Sequence, residues 1–474
     1  MRRAKIAPSD PRGKKKKRMA SSPILSLASN VPNRVSGRGP LPKLAATILV
    51  VAALLGATGP VHGQDINEVV TFEDLGFTYL LDNGARAAGM AGAYNATAED
   101  VYSMVYNPAG LARIRRIEAS LGFQHSQTDL TNDFYGTKND VQFSSTKLDA
   151  LAAAYPIPTY RGSLVLGGGV FRIMSSDLQI LNRGLNTSTD TYDDYLLQQT
   201  GSVYSYNLSI AADLSPAVSL GLNGYVLDGN IKALTQFSYE FVPPLPDEPT
   251  EVIVVDDARA DLDGYGATVG AHYHPLSFFR IGLSVTTPIK INLRGSAIEE
   301  SAYYWENEPH EFYTDQFVLD SSYRIPFRVN AGAALMTSAY SFAADVGYID
   351  WRQAEVNGLQ LKDEDLNAVF RETVNLRAGG EVVMPFIPIR IRAGYAYLPY
   401  ATAYLQTDRI SGDQLVKSEV ETERQLYSAG VGVLLGRVLT IDASYEYETG
   451  KRVTDTLIDE RKRQRLVLTG SYRF

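Results

Sequence analysis

The chain has 474 residues, with 45 Lys and Arg against 53 Asp and Glu, 29 Tyr, 17 Phe and no Cys; the last point excludes disulfides, thiol catalysis and Cys-ligated metals. Residues 1–63 carry 12 of the basic residues and 1 of the acidic ones, so the remainder holds 33 against 52, a net charge near −19. That charge argues against nucleic-acid binding, which depends on neutralising phosphates, and a mean hydropathy of −0.13 excludes a bundle of membrane-spanning helices.

In chain order, the first element is a leader. A basic stretch, Lys14 to Arg18, precedes an apolar run from Leu44 to Ala57 and then Val61-His62-Gly63, the pattern of a signal peptide with a small residue before the cut. The run is too short to span a bilayer, which takes about 20 apolar residues. Mature protein is expected from Gln64, and Met1 and Met19 are alternative starts. The competing reading of the basic patch, a nucleic-acid or nuclear signal, does not explain the apolar core and cleavage site behind it.

Residues 64–116 come next and are rich in small residues, with Gly84, Ala85, Ala87, Ala88, Gly89, Ala91, Gly92 and Ala93 close together. From Glu118 onward the chain falls into short alternating segments. Strands are expected near 117–126, 146–156, 163–174, 203–213, 217–229, 262–273, 278–288, 324–336, 340–349, 372–383, 388–398, 424–435, 438–448 and 463–474. In the clearest, Leu439, Ile441, Ala443, Tyr445 and Tyr447 alternate with Thr440, Asp442, Ser444, Glu446 and Glu448, an apolar face for lipid and a polar face for a wet lumen. Connections alternate too, six short turns with seven long polar stretches, as fourteen up-and-down strands require.

The expected fold is therefore all-β: a transmembrane antiparallel β-barrel over residues 117–474, ending at Phe474. Fourteen strands leave a bore, because only barrels of about eight are filled by their own side chains. The 64–116 segment is the natural plug, the competing reading being a periplasmic tail.

Several residues invite functional readings. Gly167, Gly168 and Gly169 lie together in the third strand, where glycine permits a bulge or close backbone approach. The two longest loops hold Phe237, Tyr239 and Phe241, and Tyr303, Tyr304, Trp305, Phe312, Tyr313 and Phe317. Arg280, Arg377, Arg390 and Arg392 point inward in the strand register, with Glu381, Asp442 and Glu446 as internal partners. His272 and His274 flank Tyr273 at a turn, where membrane-interface placement explains them better than a metal. Asp256, Asp257, Asp261 and Asp263 fail the spacing of a calcium loop. No catalytic constellation, metal site or cofactor motif is present in the sequence.

One stretch carries more. Gly84-Ala-Arg86-Ala-Ala-Gly89-Met-Ala-Gly92-Ala-Tyr-Asn-Ala-Thr-Ala-Glu99-Asp100, followed by Tyr106-Asn107-Pro108-Ala109-Gly-Leu-Ala112, resembles the N-terminal hatch of the OmpP1/FadL/TodX outer-membrane transporters. The resemblance implies a plugged, monomeric outer-membrane barrel that is not an enzyme. It would pass long-chain fatty acids or small aromatic hydrocarbons by diffusion, through an apolar pocket and a sideways opening at a kink of the third strand, which places a lateral gate at Gly167 to Gly169. It also assigns capture of the solute to the third and fourth extracellular loops, hence to the nine aromatics above, and a fatty-acid carboxylate to one of the lumen arginines. Its partners would be outer-membrane lipid, a hydrophobic small molecule and, through Phe474, the barrel-assembly machinery. The same hatch is similar to PorV-type barrels of type IX secretion, which leaves a docking role as the alternative.

Overall fold

The structure is a computed structural model that describes residues 81–474 apart from 187–188, 245–247, 357–358, 361–367, 411–413, 421–422 and 454–456. The leader, its cleavage site and residues 64–80 of the expected plug lie outside the described residues. Fourteen wall strands are present: β1 Glu118–Phe134, β2 Thr137–Ile157, β3 Leu164–Ser175 continued by Leu178–Asn186, β4 Thr191–Ser215, β5 Val218–Phe241, β6 Glu251–Leu276, β7 Phe279–Thr286 continued by Ile289–Tyr304, β8 Glu311–Ile325 continued by Arg328–Met336, β9 Tyr340–Asp350, β10 Glu372–Val383, β11 Ile389–Pro399, β12 Glu423–Leu435, β13 Leu439–Val453 and β14 Leu457–Arg473. Each is antiparallel to the next, and β14 returns to β1 from Arg473 opposite Glu118 to Leu457 opposite Phe134. The sheet thus closes on itself as a barrel.

Alternation sets the two faces. On β13, Ile441 and Tyr445 are exposed, whereas Asp442, Ser444, Glu446 and Glu448 are buried. Leu466, Leu468, Tyr472 and Phe474 are likewise exposed at the end of the chain. Apolar side chains that would be costly in water thus face outward as a lipid-facing band, with polar ones enclosed.

The strands run well past the segments that alternation marks. The stretches 230–261 and 289–323, expected as loops, are instead paired hairpins, with β5 matched to β6 from Val218–Tyr273 up to Glu240–Glu251 and β7 to β8 up to Tyr303–Glu311. The outward face of β6 shows why the sequence hid this. It passes from Tyr265, Val269 and Tyr273 to Arg259, Asp261 and Asp263, so the strand leaves lipid without ending.

Three strands change phase as they rise. On β7 the exposed residues below the break are Ile281, Leu283 and Val285, yet above Thr287-Pro288 it is the residues of the same parity, Ile289, Ile291 and Leu293, that are buried. Proline has no N–H for the ladder, and the interruption turns the strand over. On β8 the same happens at Pro326: Gly332 and Ala334 face inward below it, and Leu319, Tyr323 and Ile325 above it. On β3 the cause is a bulge between Arg172 and Met174, which leaves Phe171 and Arg172 both buried. The result is an apolar cluster on the inner face, including Met174, Leu178, Ile180, Leu227, Ile231, Ile289, Ile291, Leu293, Leu319, Tyr323, Ile325, Ile349 and Trp351.

Candidate transport site

The segment ahead of β1 holds two short helices, α1 Ala85–Ala88 and α2 Ser103–Tyr106, and a 3₁₀ turn over Pro108–Arg113. It is buried almost throughout and reaches wall strands on opposite sides of the ring. The Gly84 and Ala85 amides donate to Asp149 of β2 and Thr469 of β14 (both 2.9 Å). Asn95 Nδ2 donates to the carbonyls of Gly282 on β7 and Asn330 on β8 (3.0 and 3.1 Å). Arg86 pairs with Glu381 of β10 (3.2 Å) and with Glu99 of its own segment (3.1 Å).

Each residue of the Gly84–Ala112 motif named from the sequence has a structural task. Gly92 has φ +71 and stands against the Arg377 guanidinium, a conformation that side chains disfavour. Gly84 has φ +78 beneath the Tyr102 ring, and Gly89 lies against Gly430 of β12. Asp100 accepts the Tyr94 hydroxyl at 2.5 Å; burial first and then the nearby Glu118 push its carboxyl up to about 6. Asn107 caps the 3₁₀ turn by accepting from Ala109 N (3.2 Å) and donates to the Asn95 carbonyl (3.0 Å). Pro108 begins that turn, where its missing N–H costs nothing.

The backbone ladder of the wall is interrupted beside this segment. The backbones of β2 and β3 pair from Ile157–Leu164 up to Ala150–Phe171. Above that point β2 pairs with β1 and the upper part of β3 with β4. That upper part is bent inward, since Asn132 of β1, one strand beyond β2, donates to the Leu181 carbonyl (3.0 Å) and to Asn182. Lys147 of β2 spans the foot of the gap to Asp177 (2.6 Å) and to the Gly201 carbonyl (2.8 Å). Gly167 to Gly169, expected at the gate, are paired on both sides, opposite Ala152–Ala154 and Asn207–Ser209. Their glycines serve close packing, Gly167 against Met104 and Leu111, and Gly169 against Ala152. The break begins higher, at Arg172–Asp177.

The aromatics expected in capture loops lie on the hairpins. The register sets Tyr239, Val252 and Tyr303 side by side across β5, β6 and β7. Tyr239 packs on Phe237 and Phe241 (5.8 and 5.7 Å between centroids), Tyr303 on Tyr313 (5.8 Å) and Tyr304 on Phe312 (6.2 Å). Phe237 and Phe317 reach down to the apolar cluster, and Trp305 is half-buried at the hairpin tip. The cluster itself escaped the sequence reading, although its signal was there: an apolar alternation whose parity shifts across a proline.

The lumen arginines are ion-paired. Arg392 binds Glu381 (2.6 Å) and Asp442 (2.7 Å), Arg390 lies 3.8 Å from Glu381, Arg280 lies 3.7 Å from Glu99, and Arg377 holds Asp82 at 2.6 Å. His272 is not an interface residue: it is buried and donates to the Asn95 carbonyl at 2.8 Å. Asp256 sits in a strand rather than a solvated loop, buried opposite Glu299; burial and that neighbour push its carboxyl up to about 8.

These features define a class, an outer-membrane β-barrel channel with an apolar cluster on its inner face and an interruption in the pairing of its wall. The family described as outer membrane protein transport protein (OMPP1/FadL/TodX) matches residues 76–473, and the chain belongs to it. The family is one of transport channels rather than enzymes. No curated protein matches the sequence. Among solved structures, a FadL homologue of Pseudomonas aeruginosa is similar at 15% identity and TM-score 0.58, over 84% of this chain and 100% of the other. The toluene transporter TodX of Pseudomonas putida is similar at 14% and 0.55, over 82% and 98%. The Ralstonia pickettii toluene transporter TbuX is similar at 16% and 0.52, over 85% and 100%. The secretion-docking alternative finds no support in these matches.

Proposed function

We propose that the protein carries hydrophobic small molecules, long-chain fatty acids in particular, inward across the outer membrane, and that residues 64–116 act as its hatch. The observation that carries this reading is the apolar cluster on the inner face of the upper barrel, reached from above through the hairpin aromatics and adjoining the β2–β3 gap below. A solute would leave water on Tyr239 and Tyr303, exchange its hydration for the chamber wall, and pass sideways into lipid at Arg172–Asp177 when Lys147 releases Asp177. Support comes from the family membership and from structural neighbours that are toluene transporters. A fatty acid is favoured over toluene by the extent of the apolar cluster, which draws on strands from β1 to β9.

The test is uptake of labelled oleate by cells that lack other importers. Cells expressing the gene should accumulate oleate several-fold faster than cells without it, and Asp177→Ala, which unties the gap, should be at least as fast. Equal uptake with and without the gene would remove the proposal.

A further inference from the structure

Above the lipid-facing band, the hairpins carry a row of acids. The register sets Thr235, Asp256, Glu299 and Asp315 side by side across β5, β6, β7 and β8. Asp256 and Glu299 are each 5% exposed, and residues directly opposite on neighbouring strands have Cβ atoms about 5 Å apart. Glu299 accepts from the Ser301 hydroxyl (3.3 Å). Asp256 makes no hydrogen bond or ion pair among the described residues, and the one charge felt at it is that of Glu299. An enclosed carboxylate that faces a second one and has no donor is costly until something positive joins it.

The neighbouring rows supply no such charge. Neither the row above, which includes Phe237 and Tyr313, nor the row below, which includes Ala258, Ala297 and Phe317, holds a Lys or Arg on these four strands. What they supply is rings and hydrocarbon. Ala258 and Ala297 belong to the apolar cluster and Phe237 and Phe317 pack on it, so the acids stand where that cluster meets the hairpin aromatics. Rings beside the carboxylates suit a weakly hydrated organic cation better than a metal ion, which holds oxygen ligands and waters around it.

We propose that Asp256 and Glu299 form a subsite for the ammonium head of a cationic amphiphile, its chain running past Ala258, Ala297 and Phe317 into the apolar cluster. The subsite adds a class of solute to the fatty-acid reading, and it rests on that reading only in that the barrel takes up hydrocarbon chains.

The experiment compares dodecylamine with dodecanol, which has the same chain and no charge, as labelled ligands of the purified full-length protein in dodecyl maltoside at pH 8, where an alkyl amine is protonated as lysine is. Wild type should bind the amine about tenfold more tightly than the alcohol, the scale of one charge-assisted contact. The double variant Asp256→Asn with Glu299→Gln should lose that preference while holding dodecanol as before, which also shows it to be folded. Asp256→Glu, which keeps the charge, should retain most of the preference. Oleate, whose head the acids repel, should bind the double variant at least as tightly as wild type. Equal affinities of wild type for amine and alcohol, a preference that survives in the double variant, or weaker binding of oleate by that variant would overturn the subsite alone. Binding of none of the three ligands by wild type would overturn the channel reading and the subsite with it.

Discussion

Replacing Gly394 by Val is expected to drive the segment ahead of β1, the proposed hatch, off the wall. A Cβ at this position on β11 would stand 2.3 Å from the carbonyl carbon of Met90 and 2.6 Å from the amide of Ala91. Both are backbone atoms of a tight turn that cannot step aside as a side-chain tip can. Overpacking in a close-fitted interior costs about 1–3 kcal/mol even where side chains absorb it. Here the neighbouring Gly379 meets Met90 in the same way, with 2.5 Å from its virtual Cβ to the carbonyl oxygen, so the turn is held from two strands. Cells carrying Gly394→Val should become permeable to antibiotics normally too large for the outer membrane, and the purified barrel should show open-channel conductance in planar bilayers. Gly168→Val is the matched control: its Cβ would find nothing closer than 3.7 Å, and conductance and uptake should stay as in wild type. An intact permeability barrier in Gly394→Val would show that Met90 and Ala91 do not seat on this wall.

Replacing Arg392 by Met is expected to cost about 3–5 kcal/mol, the scale of breaking a buried ion pair from one side. The Arg392 side chain is fully enclosed between Glu381 and Asp442. Glu381 would keep Arg86, but Asp442 would be left buried without its cation. Urea titration of the refolded barrel, followed by heat-modifiable mobility on gels, should show the unfolding midpoint fall. Adding Asp442→Leu should restore part of the loss, because an apolar pair of similar volume removes the stranded charge. A midpoint unchanged in the single variant would show that the network does not hold the wall together.

How much of this was legible beforehand follows from where lipid acts. Fourteen strands could be read because lipid imposes strict alternation on one face, as at Ile441 and Tyr445. Where β5 to β8 rise above the bilayer that constraint ends, and Arg259, Asp261 and Asp263 look like loop while pairing as strand. The chamber was hidden by parity, since Ile289 and Ile291 continue the count of Ile281 and Leu283 yet face the other way past Pro288. The structural part of the Gly84–Ala112 motif was legible because its glycines and Asn107 answer local backbone needs. The place where the β2–β3 ladder ends was not, because it arises from a bulge between Arg172 and Met174, a few residues past the glycines of the same strand, and from the partner that β2 lacks there.

The proposed sideways exit is best examined by tying β2 to β3 where their pairing ends. The chain has no Cys, so Lys147→Cys with Asp177→Cys offers two unique thiols for a short, reducible bis-thiosulfonate cross-linker across β2 and β3. Oleate uptake by cells carrying this pair should fall to the level of cells without the gene once cross-linked, and recover when the linker is reduced, with either single-cysteine variant unaffected. Uptake that continues undiminished through a closed gap would mean that solute leaves the barrel by another way.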